Sequence, residues 1–153
     1  MKAIIQRVKF ASVKVDGEIR GSINKGFLVL LGVEKGDLTE DREILAKKVA
    51  NLRVFTDEND KMNNSLLDIN GEALVISNFT LCADTRKGNR PSFDKAMAPE
   101  TAKAMYDDFC NDLVKEGVKK VDKGVFGAKM EVELLNDGPI TITLDTEIWR
   151  KKC

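Results

Sequence analysis

The chain has 153 residues with 25 basic and 25 acidic side chains and no formal net charge. This suits one compact domain over residues 1–153 and excludes a protein that coats nucleic acid through net charge. Histidine is absent, which excludes Ser-His-Asp and Cys-His nucleophilic schemes and removes the most common metal ligand. The cysteines, Cys82, Cys110 and Cys153, form no CxxC pair, so we expect free thiols, no metal and no cofactor.

The chain has no run of 18 apolar residues, so we expect no transmembrane helix. The apolar start of the sequence reaches Arg7 within a few residues and is too short for a signal peptide. We therefore expect a cytoplasmic protein that does not enter a membrane.

The first third of the chain has the pattern of β-strands. Apolar residues within 4–8 and 13–15 predict two strands, and Asp16-Gly17 is typical of a hairpin turn. Residues 24–26 predict another turn. The apolar run 27–33 then predicts a strand that is buried on both faces.

Two helices are predicted in the middle of the chain. Asp37 with Glu40 resembles a capping pair, and an apolar stripe follows within residues 45–52. Pro99 suits the first turn of a second helix, which Gly117 can end.

The segments between and after these helices complete the pattern. Residues 56–64 and 83–91 are polar and predict loops, while 74–76 predict a central strand that leads into Ser77. Residues 130–134 and 140–144 alternate as half-buried strands, which Asn136-Asp137-Gly138-Pro139 would join as a turn. The predicted fold class is α+β: a mainly antiparallel, barrel-like sheet with two main helices in a single domain.

The segment Ser77-Asn78-Phe79-Thr80-Leu81 follows a buried strand and is a candidate site. Backbone N–H groups at a strand end can stabilise an oxyanion, and the hydroxyl of Ser77 or Thr80 can bind substrate. The alternative is an ordinary strand whose small polar residues alternate outward.

The segment Asn136-Asp137-Gly138-Pro139 also has two interpretations. It is a favourable hairpin turn. It could instead be a rigid clamp, because proline fixes its own backbone and lacks an N–H group, which leaves the Gly138 and Pro139 carbonyls free to point outward.

Basic residues cluster in the loop before Pro91. Arg86, Lys87 and Arg90 precede Phe93 and could bind phosphate, since guanidinium matches phosphate oxygens with a planar fork. The alternative is a solvated charged loop. That alternative is stronger for a second cluster at Lys115, Lys119, Lys120 and Lys123, which acidic neighbours dilute.

Taken together, these segments resemble the D-aminoacyl-tRNA deacylase (D-tyrosyl-tRNA deacylase) family. The resemblance extends over almost the whole chain. One departure is Asn78, where the family usually has glutamine within Ser-Gln-Phe-Thr. Further matching segments are Gln6-Arg7-Val8, Ala11-Ser12-Val13, Leu30-Leu31-Gly32-Val33, Asn51-Leu52-Arg53-Val54-Phe55, Lys61-Met62-Asn63, Arg90-Pro91-Ser92-Phe93 and Gly127-Ala128-Lys129-Met130.

The resemblance implies a homodimer with two active sites at the subunit interface. Gly138-Pro139 of one subunit, with a cis peptide bond, would lie beside the strand-end motif of its partner, and Arg7 would orient it. The catalytic residues would be Ser77, Phe79 and Thr80, and Asn78, Gly138, Pro139 and Arg7 would bind substrate.

The implied reaction is hydrolysis of D-aminoacyl-tRNA to free D-amino acid and tRNA by one deacylase domain. Main-chain atoms would exclude L-amino acids and leave mischarged glycyl-tRNA acceptable. Arg86, Lys87 and Arg90 would bind tRNA. Two alternatives remain open: a non-catalytic module that binds nucleic acid or protein, and a small-ester hydrolase with Thr80 as nucleophile.

Overall fold

The computed structural model describes residues 1–150, so Cys153 lies outside the described residues. Its elements in chain order are β1 (Lys2–Val15), β2 (Glu18–Ile23), β3 (Gly26–Gly32), α1 (Thr39–Asn51), β4 (Phe55–Thr56), β5 (Met62–Asn64), β6 (Glu72–Ser77), α2 (Pro99–Lys115), β7 (Lys120–Lys123) and β8 (Glu131–Asp145), with short 3₁₀ helices at Phe79–Cys82 and Thr146–Trp149.

One long hairpin forms the first part of the sheet. Strand β1 pairs antiparallel with β2 and then with β3, from Val15 opposite Glu18 to Lys2 opposite Gly32, and the register shifts once, between Val13 and Lys14. Asp16 and Gly17 both have positive φ, as the predicted hairpin turn requires. The prediction of two separate strands before this turn is wrong. Lys9 and Phe10 are exposed and break the apolar alternation, but the backbone continues through them.

The predicted turn at Asn136-Asp137-Gly138-Pro139 is wrong, because strand β8 runs through this segment. These residues lie within one strand that pairs with β1 along its length. Between the pairs Gln6–Thr141 and Val8–Asn136, β8 advances by five residues while β1 advances by two, so β8 bulges there. A bulge and a turn draw on the same residue types, which is why the sequence suggested a turn.

The α+β class, the two helices and the curled sheet agree with the prediction, but the sheet is mixed. Strand β3 pairs with β6 in parallel, and β6 pairs with β7 in parallel. Strand β7 was not predicted, because its lysines obscured a short edge strand. The sheet curls towards itself where the Ser22 N–H donates to Asp122 Oδ2 at 2.9 Å. The predicted loop 56–64 also contains part of a small hairpin, β4 with β5.

The two helices cover one face of the sheet. The larger core cluster lies between them and β1, β3 and β6, and Tyr106 in α2 donates to the Val75 carbonyl at 2.6 Å. A second cluster lies on the opposite, concave face. Pro99 begins α2 as predicted, and Gly117 follows its end with a φ of 110°.

The predicted capping pair of α1 is wrong. Asp41, not Glu40, accepts the Leu38 N–H at 2.8 Å. Asp37 lies before the helix and accepts from the Met1 ammonium at 2.7 Å and the Glu34 N–H at 2.6 Å. The actual capping pair, Leu38 and Asp41, lies one residue later in the chain and has the same spacing of three.

Candidate active site

The strand-end motif begins where β6 leaves the core. Leu74, Val75 and Ile76 are buried, and the chain emerges at the half-buried Ser77. The Asn78 N–H donates to the Leu31 carbonyl at 2.8 Å, which ties the motif to the end of β3. The sheet therefore holds the following residues in a fixed position at its edge.

A single turn of 3₁₀ helix, Phe79–Cys82, follows with Asn78 as its N-cap. The Asn78 side-chain oxygen accepts the Thr80 N–H at 3.2 Å and also contacts the Thr80 hydroxyl. Phe79 is the first residue of this helix, so its N–H has no partner within the helix. Among residues 1–150 no hydrogen bond takes up this N–H group, which leaves it available to a ligand.

A cavity of about 830 Å³ opens beside this turn. Its walls are mainly apolar, and Phe79 lies against Phe93 with the ring centroids 5.1 Å apart. The lining residues are Leu30, Leu31, Val33, Lys35, Ile76, Ser77, Asn78, Phe79, Phe93, Ala96, Met97, Ala98, Pro99, Ala102, Phe126, Gly127, Ala128, Met130 and Val132. An apolar cavity with a few polar groups at one point is typical of a small-molecule site.

Gly138 and Pro139 lie on the exposed bulge of β8, and their peptide bond is cis, as the resemblance implied. Arg7 is buried and fixes the bulge: its Nε donates to the Asp137 carbonyl at 3.0 Å and its Nη1 to the Val54 carbonyl at 2.8 Å. Gly138 has a φ of 132°, which favours glycine. The bulge is therefore held from inside the protein while it presents main-chain atoms outside.

Within one chain the two motifs lie apart. Arg7, beside the bulge, pairs with Phe27, whereas Ser77 pairs with Leu31. From Phe27 to Leu31, β3 advances by four residues, which is about 13 Å along the sheet. The strand order β8-β1-β3-β6 adds roughly three strand spacings, about 14 Å, across the sheet. A ligand at Ser77 therefore does not reach Gly138 of the same chain.

A family model described as "D-Tyr-tRNA(Tyr) deacylase" matches residues 4–145. The chain belongs to this family. Relatives named D-aminoacyl-tRNA deacylase include one from Roseiflexus castenholzii, 54% identical over 151 residues that make up 99% of this chain and 96% of the relative. Another, from Clostridium novyi, is 55% identical over 147 residues, 96% of this chain and 98% of the relative. The family is one of hydrolases.

Two solved structures extend the comparison. One, described as "c-Myc DNA Unwinding Element Binding Protein", has a TM-score of 0.90 and 43% identity over 95% of this chain and 98% of that chain. The other, described as a "probable eukaryotic D-amino acid tRNA deacylase", has a TM-score of 0.77 and 18% identity over 94% of this chain and 97% of that chain. The second shows that the deacylase fold persists where most residues differ.

The basic residues of the loop after the strand-end motif differ in whether an acidic partner already binds them. The Arg86 guanidinium forms a two-pronged ion pair with Asp84, with Nη2–Oδ2 at 2.6 Å, and this partner holds the Asp84 pKa well below its usual range. Lys87 and Arg90 are exposed in the same loop. Lys35, a charged residue in the cavity wall, was missed, because it follows a strand far away in sequence.

The cysteines of the described region pack in the core as predicted. Cys82 and Cys110 are buried free thiols, and burial raises the pKa of Cys82 to about 11 and that of Cys110 to about 12. Among residues 1–150, no group of three or more acidic, cysteine or histidine side chains could hold a metal ion. No helix of this region is long and apolar enough to cross a membrane.

Proposed function

We propose that this chain hydrolyses the ester bond of D-aminoacyl-tRNA in the cytoplasm, releasing D-amino acid and tRNA, as a single deacylase domain over residues 1–153. The Phe79 N–H carries this proposal: its residue lines the cavity, no hydrogen bond within residues 1–150 takes it up, and it suits the oxyanion that forms when water attacks an ester carbonyl. Membership of the deacylase family supplies the substrate class.

Chemistry without histidine suits this substrate. An aminoacyl ester is already reactive, so positioning and oxyanion stabilisation supply much of the acceleration. The neighbouring ribose 2′-OH can assist, which makes the RNA part of its own catalyst. Ser77 lines the cavity beside Phe79 and would bind the ester end of the substrate, while the Asn78 side chain bonds to Thr80. Thr80 would accept a hydrogen bond from the substrate.

The active unit is a homodimer in this proposal. Gly138 and Pro139 are exposed and too distant from Ser77 of their own chain to share one substrate with it. A partner related by twofold symmetry would offer its bulge to each cavity and build two equal sites. Arg7 would hold the bulge rigid for that contact.

Chiral selection would follow from main-chain atoms. Gly138 presents no side chain, and Pro139 presents no N–H, so carbonyl groups dominate this surface. A rigid main-chain wall beside the α-carbon leaves no room for an L side chain, which is rejected by steric conflict. Glycine has no side chain to reject, so glycyl-tRNA would also be a substrate.

The test compares D- and L-aminoacyl-tRNA carrying the same amino acid, with glycyl-tRNA as a third substrate. We expect rapid release of D-amino acid and glycine, and an L-ester rate near that of spontaneous hydrolysis. Equal rates on the D and L esters would contradict chiral selection. Absence of hydrolysis of all three esters would contradict the function.

The shared site has its own test in co-expressed variants. Gly138→Ala alters the bulge, and Phe79→Pro removes the N–H at a helix position that tolerates proline. Random pairing makes half of the dimers mixed, each with one intact site, so activity should return to about one quarter of the wild-type value. If activity does not recover, both motifs of each site come from the same subunit.

A non-catalytic nucleic-acid module is the second candidate, because one similar structure bears the name of a DNA-binding protein. The two candidates predict different behaviour of the same sample. A binding module would retain deacylated tRNA or DNA tightly and leave D-aminoacyl-tRNA intact, whereas the deacylase would turn over many equivalents.

A further inference from the structure

We infer that Asn78 is a positioning residue for deacylation, whose side-chain oxygen fixes both the direction of the Phe79 N–H and the role of the Thr80 hydroxyl. The inference rests on the proposed function and adds a residue-level cause to it. It follows from two contacts of one oxygen atom, with the Thr80 N–H and with the Thr80 hydroxyl.

The first contact identifies the atom. The backbone N–H of Thr80 is only a donor, so the Asn78 atom 3.2 Å from it must be the carbonyl oxygen of the amide and not its nitrogen. The same oxygen contacts the Thr80 hydroxyl. Since that oxygen carries no hydrogen, the hydroxyl must donate to it.

The direction of this hydrogen bond defines what Thr80 can do. Its hydroxyl hydrogen is directed to Asn78, which leaves the oxygen lone pairs of this exposed side chain free to accept a hydrogen bond. An amide oxygen is too weak a base to remove the proton, so Asn78 does not activate Thr80 as a nucleophile. Thr80 is thereby an acceptor that orients a donor group of the substrate.

The same cap fixes the oxyanion donor. Asn78 caps a turn of only four residues, Phe79–Cys82, in which the Leu81 N–H bonds to the Asn78 carbonyl at 3.3 Å. So short a turn has little stability of its own. The cap and the bond from the Asn78 N–H to Leu31 therefore decide where the Phe79 N–H points.

The length of asparagine suits this role. Asparagine is among the best N-cap residues because its oxygen reaches the N–H two residues ahead. The glutamine that is usual in the family is one methylene longer. In this chain the shorter amide turns back onto its own turn rather than reaching across the cavity.

The experiment compares Asn78→Ala with Asn78→Ser and with Asn51→Ala, an exposed asparagine at the end of α1. Loss of an oxyanion donor costs on the order of a hundredfold in kcat or more, so loosening one should cost roughly tenfold to a hundredfold. We expect Asn78→Ala to lower kcat for D-aminoacyl-tRNA by that factor, with KM nearly unchanged. Asn78→Ser retains an oxygen acceptor and should recover most of the rate. Asn51→Ala should match wild type.

Amide hydrogen exchange supplies a readout that is independent of turnover. The Thr80 N–H should exchange faster in Asn78→Ala than in wild type, and Asn78→Ser should restore its protection. Wild-type activity with no loss of kcat in Asn78→Ala would overturn the inference and leave the function intact. A raised KM at unchanged kcat would also overturn it, since that result marks a plain binding contact. A wild-type protein without deacylase activity would overturn both.

Discussion

Replacing Gly138 by alanine tests the bulge of β8 most directly. A Cβ atom at this position would lie 2.9 Å from Ile140 Cγ1, 3.1 Å from the Ile140 nitrogen and 3.2 Å from Arg7 Nη2. The φ of 132° adds strain for any residue with a side chain. The Ile140 and Arg7 side chains can give way in part, but the contact with the Ile140 nitrogen requires the backbone of the bulge to move.

The size of the effect follows from these contacts. Strain at such a φ costs about 1–3 kcal/mol, and relieving the three short contacts adds about 1 kcal/mol, which gives a total of roughly 2–4 kcal/mol. At about 2–4 °C per kcal/mol this lowers Tm by about 4–16 °C. Ordinary contact begins near 3.4 Å, so the bulge must move by about 0.5 Å. Because a 1 Å displacement can cost on the order of a hundredfold in rate, we expect about a tenfold loss of kcat/KM.

Gly17→Ala is the matched control. Gly17 also has a positive φ, of 80°, but a Cβ atom there would meet no atom within 4 Å. It lies in the β1–β2 hairpin, away from both motifs. We expect a cost of about 1 kcal/mol, a fall in Tm of roughly 2–4 °C, and wild-type activity.

Thermal unfolding and steady-state deacylation of both variants decide the matter. A fall in Tm for Gly138→Ala with unchanged kcat/KM would refute the claim that the bulge contributes to the site. A loss of activity in Gly17→Ala of the same size would show that general destabilisation, and not displacement of the bulge, explains the result.

Three further predictions concern the site and its surroundings. Thr80→Ala should slow deacylation, and the wild-type protein should form no acyl-enzyme intermediate. A mass increase of one aminoacyl group on Thr80 would contradict this. Iodoacetamide at pH 8 should leave Cys82 and Cys110 unmodified in the folded protein, because with a pKa of about 11 only roughly one Cys82 thiol in a thousand is ionised; rapid labelling with loss of activity would disprove it. Arg90→Ala should raise KM for aminoacyl-tRNA more than Arg86→Ala does, because Asp84 already binds Arg86; the reverse order at low salt would contradict this.

The elements that the sequence predicts well are those with strong local patterns. The run 27–33, the strand before Ser77 and the start of α2 at Pro99 all stand in the structure as expected. Their signals are burial on both faces of a strand and the suitability of proline for the first helical turn. Neither signal depends on distant residues.

Two features that the sequence did not predict depend on pairing between distant strands. Whether Asn136-Asp137-Gly138-Pro139 forms a turn or a bulge is decided by β1, which holds both flanks of the segment in one ladder. The parallel pairing of β6 with β3 and β7 likewise depends on crossovers through the helices. Local residue types carry no information about either choice.

The same distinction between local patterns and contacts among distant segments applies to the candidate site. The strand-end motif is visible in sequence because its residues are consecutive, and so is the bulge. The cavity is not visible, since its walls come from segments as distant as Leu30, Met97 and Met130. The Asn78 cap is not visible in the sequence either, because a single 3₁₀ turn lacks the apolar stripe that marks the start of an α-helix.

In the proposed mechanism, a site built from main-chain groups also explains how the protein would work without histidine. A side-chain base must be tuned by its surroundings to titrate near neutral pH, whereas a backbone N–H needs only a fixed direction. The Asn78 oxygen supplies this direction at the strand-end motif, and the Arg7 guanidinium supplies it at the bulge of β8. Each uses a polar side chain to orient backbone groups rather than to react. Substitutions at Asn78 and Arg7 should therefore alter rate through geometry, and neither should introduce a new ionisation into the pH profile of kcat.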